Sequence, residues 1–314
     1  ILLIGMGAGL VTALLYASVI SGAAMAFVLM CLAPLPILIV ALGWTHWSAL
    51  VAAITASVLL GAMTGFSVFT LFLVSVALPA WWLGYLALLA RPGADPETME
   101  WYPVGRIVLW AAVCGAIGAL VILLPSGFDI EAFYAKYRPL GEQFVRLLLE
   151  IPAETTLPAE INGIDTARLV QSMIATLLPS RAVLSAITLL INLWLAGRIA
   201  FLSKRLRRPW PEIALMTIPS YAFVLTALAL LGTYLQGLPG AFASVVAYSL
   251  LTIYAILGLA VLHTVTRPLF GRGLILAFVY ATIILIWPVV ALLGLADTLF
   301  NFRRKFTARN EVRS

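Results

Sequence analysis

The chain alternates long apolar runs with short polar breaks. A helix needs about 20 apolar residues to cross the hydrocarbon core of a bilayer. Nine runs meet or approach that length: 2–20, 23–42, 47–64, 66–90, 104–124, 181–201, 213–236, 239–264 and 274–298. Only Ser21 and Gly22 separate the first two, so a tight turn is expected there. Pro34 and Pro36 fall inside the second run. Each removes a backbone donor and crowds the preceding turn, so the far half of that run should be kinked or unwound. Pro219 and Pro288 predict milder kinks in the seventh and ninth runs. The expected fold class is all-α: a polytopic transmembrane helix bundle with eight or nine spans and an extramembrane helical cap.

The cap is read from residues 125–180, where the pattern changes. Asp129 follows Pro125-Ser126-Gly127 and is placed to cap a helix start. Ile130, Phe133, Tyr137, Phe144 and Leu148 then form one apolar stripe opposite Glu131, Lys136, Arg138, Glu142 and Arg146. Pro139 should bend this helix, predicted over 129–150. A second helix is predicted from Asp165 to Leu178, before Pro179. Amphipathic helices next to a bilayer lie on its surface or cover the mouth of a bundle. The chain thus divides into a five-span bundle (1–124), the helical insertion (125–180), a second bundle of three to four spans (181–301) and a basic tail (302–314).

Composition agrees with the pattern and excludes the alternatives. Apolar types make up 63% of the 314 residues and charged types 10%. Soluble domains carry about 25% charge, so this chain could not cover a water-facing surface, and it is far too apolar to be disordered. The net charge of +6 does not indicate a nucleic-acid partner, because the basic residues cluster beside apolar runs, where they act as topology signals. The compact group Lys204-Arg205-Leu206-Arg207-Arg208 is expected in the cytoplasm. Seven of the thirteen acids fall in 125–180, one span earlier, which is then outside, and the N-terminus is inside. The tail conflicts with this count. Three runs after the basic loop it should be outside, yet Arg303, Arg304, Lys305, Arg309 and Arg313 favour the cytoplasm. An incomplete or re-entrant late segment would reconcile the two. The chain begins at Ile1 rather than Met, so a preceding segment is expected. The stretch 21–26 loosely resembles a signal-peptidase site, but no basic stretch precedes it and another apolar run follows at once.

Candidate chemistry is sparse. Ionisable groups at membrane depth are costly and mark function. Runs one to five contain no Asp, Glu or Lys, and Arg106 lies at an edge. Arg198, His263 and Asp297 sit near the ends of later runs, and Asn192 is the notable polar residue deep in one. Its default role is inter-helix hydrogen bonding. His46 and His263 have no ligand-spaced companions, so no metal or other cofactor is expected. His46 reads instead as part of an interfacial aromatic belt with Trp44 and Trp47. Cys31 and Cys114 lie in apolar runs and read as packing residues. Gly5-Met6-Gly7-Ala8-Gly9 lies within a span, and Gly5 with Gly9, like Gly61 with Gly65, offers a small face for close helix packing. No serine sits in a nucleophile elbow, and catalysis is not expected.

The most distinctive string is Gly294-Leu295-Ala296-Asp297-Thr298-Leu299-Phe300-Asn301-Phe302-Arg303-Arg304-Lys305. Asp297 is expected to pair with Arg303 or Arg304 if the helix ends at Asn301 and the chain folds over; Arg198 is the alternative partner. A Gly-x-x-Asp-x-x-Phe-x-Phe-Arg ending after a hydrophobic run resembles the YybS-like family of bacterial multi-span membrane proteins. The glycine-rich opening and the span-to-tail layout are similar too. That resemblance implies a bacterial inner-membrane protein, distantly similar to the substrate-binding membrane subunits of energy-coupling-factor vitamin transporters. No catalytic residues carry over.

Two functions are then in view. The first is binding or transport of a neutral or amphiphilic small molecule in an uncharged pocket, with the broken run at Pro34 and Pro36 exposing backbone groups to it. The second is a non-transporting membrane scaffold or accessory subunit that recruits protein partners. The lipid bilayer is a partner in either.

Overall fold

The computed structural model describes residues 1–93, 98–152, 155–161, 163–211 and 216–303. Among the described residues the fold is all-α apart from two short hairpins, Ala90–Pro92 with Met99–Trp101 and Glu160–Ile161 with Ile164–Asp165. The helices are α1 (Leu2–Ala17), α2 (Ala24–Cys31), α3 (Pro34–Gly43), α4 (His46–Thr64), α5 (Phe66–Phe72), α6 (Leu78–Ala87), α7 (Val104–Leu120), α8 (Ile130–Leu148), α9 (Thr166–Ala175), α10 (Leu177–Leu202), α11 (Ser220–Gly232), α12 (Gly237–Val265) and α13 (Arg272–Phe300). A π-turn at Leu73–Ala77 joins α5 to α6, and a 3-10 turn continues α7 to Ser126. Among the described residues, eight helical stretches are long and apolar enough to cross a membrane.

The prolines decide where helices start. Pro34 opens α3, where its missing N–H is no loss, so the second apolar run is split into α2 and α3. The seventh run departs most from its expected form. It is not a kinked full-length span, because Pro219 holds an extended conformation (φ −57, ψ 139) and the helix begins only at Ser220. The residue before a proline is itself pushed to extended backbone, and 216–219 is non-helical. The 13-residue α11 spans about 20 Å. Four extended residues add about 13 Å, so the pair still covers a hydrocarbon core of about 30 Å. Pro288, by contrast, lies within an unbroken α13.

Small residues let the helices approach. A Cβ on Gly5 or Gly9 would lie 2.6 Å from the Ser48 carbonyl or 2.7 Å from that of Ala52, so α1 seats its glycine face directly on α4. The α12–α13 crossing is tighter still: a Cβ on Gly258 would lie 1.9 Å from the Val290 carbonyl, and one on Gly294 1.9 Å from that of Tyr254. Three packed clusters result. The first joins α1, α3, α4, α5, α6, α7 and α10 around Leu38, Ala53, Phe72 and Leu83. The second gathers α7, α11, α12 and α13 around Met216, Tyr254 and Leu257. The third seats the cap on the ends of α7, α10 and α12, with Phe133, Val145, Val170 and Ile174 filling the space over Leu123, Leu178 and Val245.

Both cap helices start on an aspartate. Asp129 accepts from the N–H groups of Glu131 and Ala132, and Asp165 from that of Ala167. The α8 helix runs through Pro139 and buries Ile130, Phe133, Gly141 and Val145. Phe144 and Leu148, assigned from the sequence to the same apolar stripe, are 55% and 59% exposed. The stripe is longer than the surface available to cover it.

Candidate functional site

Two constellations are built on buried polar side chains, Asn192 in one and the Asp297–Arg303 pair in the other. The first is the α2–α3 break. Pro34 and Pro36 supply no N–H, and the chain tightens there: Ala33 donates to the Met30 carbonyl at 3.1 Å and Leu35 to that of Leu32 at 3.0 Å. With the Leu35 N–H so engaged, the Cys31 carbonyl is left without a helical donor. Asn192 of α10 takes it. Its Nδ2 donates to the Cys31 carbonyl at 2.8 Å and to the Thr188 carbonyl at 2.7 Å. Both amide hydrogens are thereby used, and these contacts fix which end of the amide is nitrogen. Asn192 is 1% exposed, and its Oδ1 has no hydrogen-bond partner. A buried acceptor left unpaired costs about 1–3 kcal/mol.

The second constellation is the end of α13. Asn301 adopts the left-handed conformation (φ 53) and ends the helix, and its N–H returns to the Asp297 carbonyl at 2.8 Å. The reversal brings Arg303 back onto Asp297. Oδ1 accepts from the Arg303 backbone N–H at 3.0 Å, and Oδ2 from its Nε at 2.7 Å. The same guanidinium donates through Nη2 to the Met216 carbonyl at 2.7 Å. Side-chain exposures of 11% and 4% make this a buried ion pair. It is tied to the extended segment that leads into α11.

The remaining sequence candidates lie elsewhere. Arg198 does not meet Asp297; its guanidinium stacks over Phe201 and Trp210 at 5.7 and 5.4 Å. Arg304 lies outside the described residues. Pro34 and Pro36 join Asn192, a pairing that the sequence did not reveal, because Cys31 and Asn192 stand 161 positions apart. The visible signal was the donor deficit that two prolines create. His46 packs against Trp47 and Tyr85, while His263 meets Tyr280 at 3.0 Å and Arg272 at 3.4 Å. In the basic loop, Arg205 lies 4.4 Å over Trp44, and Arg208 donates to the Ala87 carbonyl. Burial pulls the Arg208 guanidinium below its ordinary pKa. Among the described residues, no group of three or more His, Cys, Asp or Glu side chains is placed to hold a metal ion.

A helical bundle with these long apolar helices and so many exposed leucines defines a polytopic integral membrane protein. The chain belongs to a family described as "Predicted membrane protein (DUF2232)", whose pattern it matches over residues 10–298. No curated protein and no solved structure matches it.

Proposed function

We propose that this protein binds a neutral or amphiphilic small molecule at the α2–α3 break, in the manner of a transporter's substrate-binding subunit in a bacterial cytoplasmic membrane. The observation that carries this reading is the unpaired Asn192 Oδ1, buried beside a discontinuous helix. Broken helices in membrane transporters present free backbone groups to a solute at the point of interruption. Here the free group is a side-chain acceptor, so the ligand must bring a hydrogen-bond donor such as a hydroxyl or amide N–H. The absence of Asp, Glu and Lys from runs one to five disfavours a charged solute. Cys31 and Leu32 are only half-buried, which leaves the break a route to the lipid phase. The reading includes no catalytic step.

Native mass spectrometry of the protein released from lipid nanodiscs tests it. The wild type should retain a small neutral molecule, and Asn192→Leu should lose it while keeping its helical content. Removing the amide also orphans the Cys31 carbonyl, so the variant should be less stable by about 1–3 kcal/mol. Equal retention by both proteins would refute the reading. The second reading, a scaffold or accessory subunit, is favoured by the side chains that fill the space beneath the cap. It predicts a stable protein complex and no retained molecule.

A further inference from the structure

We infer that the second half of α8 is an interfacial anchor, whose uncovered face of Leu140, Phe144, Leu147 and Leu148 lies in the headgroup–acyl boundary of the bilayer at the cap end. Successive residues of an α-helix turn by about 100°, so Phe133, Tyr137, Phe144 and Leu148 fall within about 60° of one another. In the first half of α8 that face is held down on the bundle: Phe133 is 1% exposed and packs with Leu123, Leu178 and Val245. The same face in the second half points the same way, but the bundle no longer lies beneath it. Leu140 and Leu147 are 46% and 74% exposed there, beside Phe144 and Leu148. α9 does not cover them, because it meets the flank at Gly141 and Val145 through Val170 and Ile174.

What lies past the rim of a spanning bundle, in the direction its end faces, is lipid. α8 begins at Ile130, a few residues after the α7 span ends at Ser126, so its start lies close to the membrane surface. Pro139 is exposed on the opposite side of the helix. Its ring crowds the carbonyl of Ala135 and opens that side, which tips the second half towards its apolar face. Glu131, Arg138, Glu142 and Arg146 occupy the polar side, with Arg138 paired to Glu142 at 2.9 Å. This division of faces suits a helix lying in the interface plane. A shallow groove of about 530 Å3 runs along the exposed leucines, bordered by Gln143, Arg146 and Glu150. It gives acyl chains a surface to fill.

Depth-dependent quenching tests the inference. Single cysteines at Phe144 and Leu147, and a control at Glu142, carry an environment-sensitive fluorophore. The protein is reconstituted in phosphatidylcholine–phosphatidylglycerol vesicles, and the untagged parent chain supplies the blank for Cys31 and Cys114. Labels at 144 and 147 should be quenched by nitroxide on the lipid acyl chains and protected from aqueous iodide, with the reverse at 142. Using two sites on the exposed face keeps the test if one variant fails to reconstitute. Quenching by iodide alone at 144 and 147 would overturn the inference. So would protection from both quenchers together with self-quenching between labelled copies, which would make this face a contact between two protein chains.

Discussion

Asp297 stands near the end of a 29-residue apolar helix with its carboxylate buried at 3% exposure, and the chain stabilises it by folding its own arginine back. Breaking a buried pair costs more than the pair contributes, because the surviving charge is stranded. Asp297→Asn keeps the shape and removes the charge. It should lower stability by about 2–4 kcal/mol, read as a drop in melting temperature in detergent and in lipid. Arg303→Met strands the carboxylate and also vacates the Met216 carbonyl, so it should cost at least as much. An unchanged melting temperature for both variants would show the pair to be solvated. The contact between Asp297 and Arg303 was legible in the sequence because it is local: six residues and one left-handed turn at Asn301 bring the groups together. The Arg303 bond to Met216, 87 positions away, was not legible. Neither was the partner of Asn192, since which carbonyl an asparagine meets depends on how distant helices pack.

At the scale of elements, proline and glycine carry most of the specification. Pro34 starts a helix where the sequence suggested a kinked or unwound run, because the first helical turn absorbs the missing donor, and Pro219 stands extended just before a helix where a kink was expected. That is why the seventh apolar run became a short helix with an extended approach. The tight α12–α13 crossing was not singled out from sequence. Gly258 and Gly294 lie on different helices, and no spacing rule connects them. Since a Cβ at either would collide with backbone rather than with a movable side chain, Gly258→Ala should separate the helices. The expected loss is about 1–3 kcal/mol, with faster proteolysis after Arg267 in the connecting loop and after Arg272 at the start of α13. Wild-type stability for this variant would mean that the crossing is looser than the contacts indicate. The apolar stripe of α8 was legible as a helix face. Its exposed half was not, because periodicity reports which residues share a side and not how far the covering surface extends.

For the whole molecule, the cap and the basic loop mark opposite ends. α10 starts under the cap at Leu178 and ends beside the Lys204–Arg208 cluster. The chain from Thr217 onward starts beside Gly105, in the first turn of α7, and Gly232 at its other end packs on Ala243 near the start of α12. The seventh run therefore travels the length of the bundle, although its helix covers only Ser220–Gly232. Arg303 is bonded to Met216, so the tail junction stands by the segment leaving the basic loop and not by the cap. Cysteines placed at Leu206 and Phe302 should be labelled from one face of the membrane, and one at Glu160 from the other. Labelling of 160 and 206 from the same face would contradict the arrangement of spans.

Asn192, on the reading proposed above, holds a hydrogen-bond acceptor open for a neutral ligand beside a broken helix. A density map of the protein in lipid nanodiscs, at a resolution that shows side chains, tests it most directly. Non-protein density is expected within hydrogen-bonding distance, about 2.7–3.2 Å, of Asn192 Oδ1, with the Cys31 carbonyl still bonded to Nδ2. An amide oxygen packed against carbon alone, with the α2–α3 break closed over it and no density beside it, would contradict the claim.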